Sequence, residues 1–274
     1  MLKRTLTGAI IIIATVIAFL LRKIDIRFFD LFALALSVMG TYEFTKALGD
    51  KITKEQKIMA IVFSIAVIPV ATFIPKYLLI VIVGYLAVSL LISVFIKNSS
   101  IEKMAYTLLC LFYPTLVLVF LTLINHLGNF SLFALVLVFV TSYSTDTMAY
   151  LVGSKLKGKK LCPSISPNKT VSGAVGGVLG GVLGGIITYY AFKWIGINPF
   201  NLNSEANAII YLILTGMVFS IVTQVGDLFE SFLKRGLNIK DMGNLLPGHG
   251  GILDRVDGLM FTSFAIFLFY SFLI

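Results

Sequence analysis

The sequence predicts an all-α, polytopic membrane protein, and three observations predict it. The 274 residues are 58% hydrophobic and 13% charged, with a mean hydropathy of +0.98, too apolar for a soluble globular fold of that length. The apolar residues gather in continuous runs of spanning length, not in the short alternating segments of a barrel. The basic residues fall in short loops between those runs.

About nine spans follow in order. The first, 6–21, lies between Lys3-Arg4 and Arg22-Lys23. It has the flanks of a signal peptide but no small-residue cleavage site, so it reads as a retained span. The second, 28–45, is the least regular, because Asp30, Glu43 and Lys46 crowd its ends. Plain apolar stretches follow at 58–74, 77–96 and 104–125. The sixth, 131–152, carries Asp146 in its cytosolic half. The seventh, 174–195, follows Gly173 and repeats paired glycines at 176–177, 180–181 and 184–185. That four-residue spacing makes a flat strip suited to close helix packing, or else to a lipid groove or a mobile helix. The eighth and ninth, 207–230 and 252–273, frame the most polar segment of the chain.

Nine spans put the termini on opposite sides. With the N-terminus inside, only Arg22, Lys23, Arg27, Lys76 and Lys193 face outward, and every other basic residue lies on the cytosolic side. This positive-inside bias sets the N-terminus in the cytoplasm, the C-terminus outside, and both long polar loops, 153–173 and 231–251, in the cytosol. The net charge of +9 is therefore an orientation signal, and no nucleic-acid partner is expected. Cys110 and Cys162 form neither a metal spacing nor a disulfide pattern.

Residues 231–257 hold Lys234, Arg235, Lys240, Asp241, His249, Asp254, Arg255 and Asp257. Charge is costly close to a bilayer, so a cluster this dense points to function. Asp254 and Asp257 are three apart, on one face of a helix that starts near Ile252. Asp227 and Glu230 repeat that spacing at the cytosolic end of the preceding span, where antiparallel packing lets Asp227 face Asp254 and Asp257. Such a carboxylate set suits Mg²⁺, alone or with a second cation, better than Zn²⁺. The alternative is plain salt bridging with Lys234, Arg235 and Arg255.

Pro247-Gly248-His249-Gly250-Gly251 directly precedes that helix. Glycines permit a tight turn and a close approach to a ligand, and a helix N-terminus favours phosphate. His249 either contacts phosphate or substrate, or holds the turn together. A second constellation joins Asp146-Thr147 and Ala149-Tyr150 to the loop Ser164–Thr170. There Ser166 and Lys169 have the chemistry to contact phosphate or ribose, unless Ser166 or Thr170 merely caps the next helix. No GxxxxGK[ST] loop and no Ser-His-Asp or Cys-His arrangement is present.

At this point the chain resembles the phosphatidate cytidylyltransferases, or CDP-diacylglycerol synthases. The resemblance runs through Ser231, Lys234-Arg235, Lys240-Asp241, Pro247, His249-Gly250-Gly251, Asp254-Arg255 and Asp257. Gly226-Asp227-Leu228, Asp146-Thr147 and Ser166-Pro167 with Lys169-Thr170 are also similar to the family pattern. Asn168 stands where that family commonly has lysine, and Ser172 where it commonly has glutamate. The resemblance implies a Mg²⁺-dependent transfer of the cytidylyl group from CTP to phosphatidate, with release of pyrophosphate. It further implies Asp227, Asp254 and Asp257 as the metal set, assisted by Asp146, with Lys234 among the catalytic residues. Ser166, Lys169, Arg235, Lys240 and Arg255 would hold substrate oxygens, and His249, Gly250 and Gly251 the nucleotide side.

On this reading residues 1–130 are a lipid-facing scaffold and 131–274 a catalytic region in the inner cell membrane, its site open to the cytoplasm. A homodimer fits the glycine strip. A transporter would place its charges near the midplane in two repeats, whereas these crowd one face of the C-terminal half. A related enzyme acting on another lipid, such as an isoprenoid phosphate, shares the same physics. The pattern of the CDP-alcohol phosphotransferases is absent.

Overall fold

The computed structural model describes residues 2–198, 205–246, 248 and 250–271. Over the described residues each predicted stretch falls on a helix, apart from one that is broken; positions 272–273 of the ninth lie outside them. Among the described residues six helices are long and apolar enough to cross a membrane: Lys54–Phe73, Pro75–Phe95, Ile101–Asn125, Gly128–Leu156, Val171–Trp194 and Glu205–Gly236. A shorter apolar helix covers Gly8–Arg22. The chain is thus a helical membrane protein, and it divides into two units.

The first unit comprises the helices up to His126 together with Leu237–Val256. Its helices are α1 (Leu2–Arg22), α2 (Arg27–Leu48), α3 (Lys54–Phe73), α4 (Leu78–Phe95), α5 (Ile101–Cys110) and α6 (Val117–Asn125). Between α1 and α2 the Arg27 guanidinium and backbone amide bond Asp25, and hold its carboxyl down to about 2. Thr53 and Gln56 form a reciprocal capping box that starts α3. The predicted fifth span is interrupted at Leu111–Leu116, where Tyr113 leaves helical geometry before Pro114. The cause is the proline, which lacks an N–H and crowds the preceding turn. The core of the unit packs Phe63, Val67, Ile68 and Ala71 of α3 around Tyr85 and Leu111.

The charges that made the second stretch irregular are buried. Asp30 is 3% exposed and accepts bonds from Asn125 Nδ2 at 2.9 Å and Thr72 Oγ1 at 3.1 Å, with His126 Nε2 at 2.8 Å. Arg22 Nε bonds Asn125 Oδ1 at 2.6 Å, so α1, α2, α3 and α6 share one polar knot. Removing a buried acceptor leaves its donors desolvated and unsatisfied. Asp30→Ala should therefore destabilise the protein by about 3 kcal/mol, visible as a lower thermal midpoint in detergent. An unchanged midpoint would show that water replaces the carboxylate.

The second unit comprises Leu127–Gly236 and the chain from Asp257 onward. It contains α7 (Ser131–Leu156), α8 (Val171–Trp194), α9 (Glu205–Gly236) and most of α10 (Leu253–Ser271). The 153–173 loop is not simply polar coil leading into a helix. It folds an antiparallel hairpin, β1 (Lys160–Cys162) and β2 (Ser166–Thr170), paired Lys160 to Thr170 and Cys162 to Ser166. The Thr170 hydroxyl then caps α8 by accepting from Gly173 N–H at 3.1 Å, so Thr170 and not Ser166 is the cap.

The glycine strip of α8 serves packing, on two rails. A Cβ at Gly176 would lie 2.5 Å from Val152 Cβ, and one at Gly180 2.5 Å from the Ser144 carbonyl oxygen, both on α7. On the other rail a Cβ at Gly181 would lie 2.6 Å from Ser220 Cβ, and one at Gly177 3.1 Å from Gln224 Nε2, both on α9. Backbones this close gain dispersion contact that lipid cannot supply. Hydrogen bonds cross the same interfaces, from Ser220 Oγ to the Gly177 carbonyl at 2.9 Å and from Gln224 Nε2 to the Ala174 carbonyl at 3.2 Å. Gly226 of α9 and Gly258 of α10 repeat the device, fitting against Phe261 and Thr223.

Candidate active site

In the second unit three elements line one cavity of about 410 Å³. Helix α7 supplies Asp146, Ala149, Tyr150 and Gly153; the hairpin supplies Asn168, Lys169 and Thr170; α9 supplies Gln224 and Asp227. The hairpin is held over α9 by Arg235 Nε, which donates to the Ile165 carbonyl at 3.2 Å. That placement brings Lys169 Nζ onto Asp227 Oδ2 as an ion pair. Ser166 lies in β2 opposite Cys162.

One turn along α9 from Asp227, Glu230 is fully buried and takes Lys234 Nζ at 3.1 Å. Asp257, on α10, lies in the field of Glu230, Asp227 and Asp146, and its Oδ1 accepts from Gly258 N–H at 2.8 Å. Four carboxylates and two lysines from α7, β2, α9 and α10 are therefore brought into mutual electrostatic range. Asp146, Lys169, Asp227, Lys234 and Asp257 from the sequence reading all take part. Glu230 joins them as the buried partner of Lys234.

In the first unit the segment before α10 is organised by carboxylates. Asp254 Oδ2 accepts from Met242 N–H at 2.9 Å and Gly251 N–H at 2.7 Å. Gly250 has φ +82°, a conformation that a side chain rarely adopts, and its carbonyl takes Leu246 N–H at 3.0 Å. Leu253 N–H, at the start of α10, donates to Glu43 Oε2 at 3.1 Å. Asp254 thus lies in the first turn of α10, and Asp257 one turn later. Lys240 and Arg255 are exposed. His249 and Pro247 lie outside the described residues.

Two residues, one in each unit, were not among the sequence candidates. Gln224 lines the cavity while bonding α8. Glu43 stands under the glycine turn, and its only sequence signal was a carboxylate at the end of an apolar stretch. The unusual residues of the 164–172 loop also find places. Asn168 lines the cavity, and the Ser172 hydroxyl donates to the Lys157 carbonyl.

Among the described residues no three His, Cys, Asp or Glu side chains converge as a ready-made metal cage. The donor set is nonetheless all carboxylate. Mg²⁺ ordinarily takes one or two carboxylates and completes its shell with water and substrate phosphates. Asp227 and Asp257 have the donor chemistry that such an ion takes.

Comparison with known proteins gives the same direction. Residues 2–273 match the profile of the Cytidylyltransferase family. A phosphatidate cytidylyltransferase of Bacillus subtilis is 36% identical over 183 residues, covering 66% of this chain and 64% of that protein. One from Rickettsia conorii is 34% identical over 170 residues, 62% of this chain and 70% of the relative. One from Brucella abortus is 37% identical over 159 residues, 58% of this chain and 54% of the relative. The matched segment thus spans just under two thirds of the Bacillus protein and about half of the Brucella one. With a profile match along almost its whole length, the chain belongs to the Cytidylyltransferase family.

Proposed function

We propose that this chain transfers the cytidylyl group of CTP to phosphatidate, forming CDP-diacylglycerol and releasing pyrophosphate. This is the activity after which the Bacillus, Rickettsia and Brucella relatives are named. The observation that carries the proposal is the cavity in which Asp146, Lys169 and Asp227 meet, in a helical membrane protein of this family.

A phosphate oxygen of phosphatidate attacks the α-phosphorus of CTP. The new P–O bond forms as the bond from the α-phosphorus to the bridging oxygen breaks, and that electron pair leaves with pyrophosphate. The attacking oxygen is already ionised, so no general base is required, and catalysis reduces to alignment and charge neutralisation. Lys169 and Lys234, now bonded to Asp227 and Glu230, are the cations to exchange a carboxylate for a phosphate oxygen. Arg235, Lys240 and Arg255 add positive charge for the triphosphate and the lipid phosphate. Ser166 supplies a hydroxyl from the hairpin, and the family pattern assigns Gly250, Gly251 and His249 to the nucleotide. Bound Mg²⁺ would supply Lewis-acid neutralisation of the phosphate charge. Asp227 and Asp257 would hold it with help from Asp146, and Asp254 joins them by its helical spacing alone.

The proposed topology has nine spans, the N-terminus in the cytoplasm and both polar loops cytosolic, in the inner cell membrane. CTP then arrives from water and phosphatidate sideways from the cytosolic leaflet. The glycine strip does not argue for a homodimer, because both its rails are taken up by α7 and α9.

The test is pyrophosphate release by the full chain in detergent. Release should require phosphatidate, CTP and Mg²⁺ together, and ATP should not replace CTP. Turnover only with an isoprenoid phosphate would keep the chemistry and change the acceptor. Silence with every lipid, from protein shown to be folded, would overturn the proposal.

A further inference from the structure

Glu43 is a carboxylate at 1% exposure on α2 in the first unit. A buried charge must be compensated by donors, yet among the described residues no Lys or Arg is bonded to it. Its surroundings are backbone. Leu253 N–H donates to Oε2 at 3.1 Å, and the amides of Ile252 and Leu245 also act on it. These groups belong to the glycine turn and to the start of α10, where exposed N–H groups and the helix dipole favour a negative charge. Glu43 therefore caps a helix that begins 210 residues later in sequence.

The turn is shaped around this side chain. A Cβ at Gly243 would lie 2.5 Å from Glu43 Cδ, and one at Gly251 2.5 Å from Glu43 Oε2. One turn earlier on α2, Gly40 leaves room for Leu253, whose Cδ2 would be 2.8 Å from an added Cβ. From the other side, Asp254 bonds the amides of Met242 and Gly251. Met242, Gly243, Gly251 and Leu253 are thus held between two carboxylates, one at the start of α10 and one from α2.

We propose that Glu43 is a positioning residue. It holds the Gly250-Gly251 turn and the first turn of α10 in the geometry that receives the nucleotide. Which reaction this geometry serves rests on the cytidylyltransferase reading; the holding of the turn does not.

The experiment compares Glu43→Ala, Glu43→Gln and Gly251→Ala with the wild-type full chain in detergent, by kinetics and by hydrogen–deuterium exchange without substrate. Glu43→Ala should raise exchange at the amides of 242–253 and leave α7, α8 and α9 protected. It should also lower kcat/KM for CTP about a hundredfold, as expected for a misplaced substrate-holding segment, with KM for phosphatidate unchanged. Glu43→Gln keeps one acceptor oxygen and should recover part of both. Gly251→Ala, which keeps the charge but pushes the turn away from it, should reproduce the kinetic loss. Wild-type exchange and wild-type kinetics in Glu43→Ala would overturn the proposal, as would an increase in exchange spread evenly over all helices. If Glu43→Ala fails to fold, exchange in Glu43→Gln decides in the same way. Local loosening without any cytidylyl transfer in the wild type would retain the positioning role and discard the reaction.

Discussion

Asp227→Asn should lower kcat for cytidylyl transfer about a thousandfold, the scale set by losing several kcal/mol of charge stabilisation, while the protein stays folded. The substitution keeps the size, removes the charge and turns one acceptor oxygen into an NH2 donor. Its first effect is on Lys169, which loses its counter-ion. Its second is on Asp257, which lies in the combined field of Glu230, Asp227 and Asp146. The Asp227 side chain is 30% exposed, so the fold does not depend on it as it does on a fully buried group. Turnover at saturating CTP and phosphatidate, measured across a Mg²⁺ titration, separates the outcomes. A large loss of kcat with a weakened Mg²⁺ response supports the assignment. Wild-type turnover and Mg²⁺ response would remove Asp227 from the metal set.

Gly181→Leu should prevent accumulation of folded protein. Its Cβ alone would lie 2.6 Å from Ser220 Cβ and 2.9 Å from Thr145 Oγ1, before any longer atoms are added. Ser220 and Thr145 are themselves hydrogen-bonded at 3.0 Å, so neither yields without losing a buried bond. Overpacking of this kind costs about 3 kcal/mol or more, because α8 would have to move away from α7 and α9 together. Gly84→Leu on α4 is the matched control, since nothing lies within 4 Å of its added Cβ. The readout is the yield of monodisperse protein and its thermal midpoint in detergent. Equal behaviour of the two variants would mean that the rails do not hold the second unit together.

Helices were legible because lipid imposes one rule, that every backbone group be bonded within its own segment. Long apolar runs therefore mark helices, but not where they stop. Helix α9 continues to Gly236, past the charged residues that ended the apolar stretch, and α7 to Leu156. The hairpin at 160–170 was illegible because its strands are short, rich in lysine and proline, and show no alternating pattern. The break before Pro114 was readable in principle, as proline is seldom neutral inside a helix. In the site, Asp146, Asp227 and Asp257 stand out as charges at the ends or in the middle of apolar runs, and Lys169 as a lysine in the loop that enters the seventh. Glu43 stands out equally, as a charge that makes the second stretch irregular. Its partners are main-chain amides far along the chain, and main-chain amides carry no signature in a sequence.

Glycine rails on α8 have a further consequence, for alignment along the helix axis. Side-chain knobs lock a helix lengthwise, but a surface without side chains has no teeth. The strip also repeats every four residues, so sliding α8 by about 6 Å would lay Gly177 where Gly181 now sits and fit nearly as well over much of its length. Shape thus holds α8 close to its neighbours without deciding which step of the ladder it occupies. The deciding contacts are polar: Ser220 on the Gly177 carbonyl and Gln224 on the Ala174 carbonyl. These bonds act as detents, and through the hairpin they fix how far along α9 Lys169 reaches to meet Asp227.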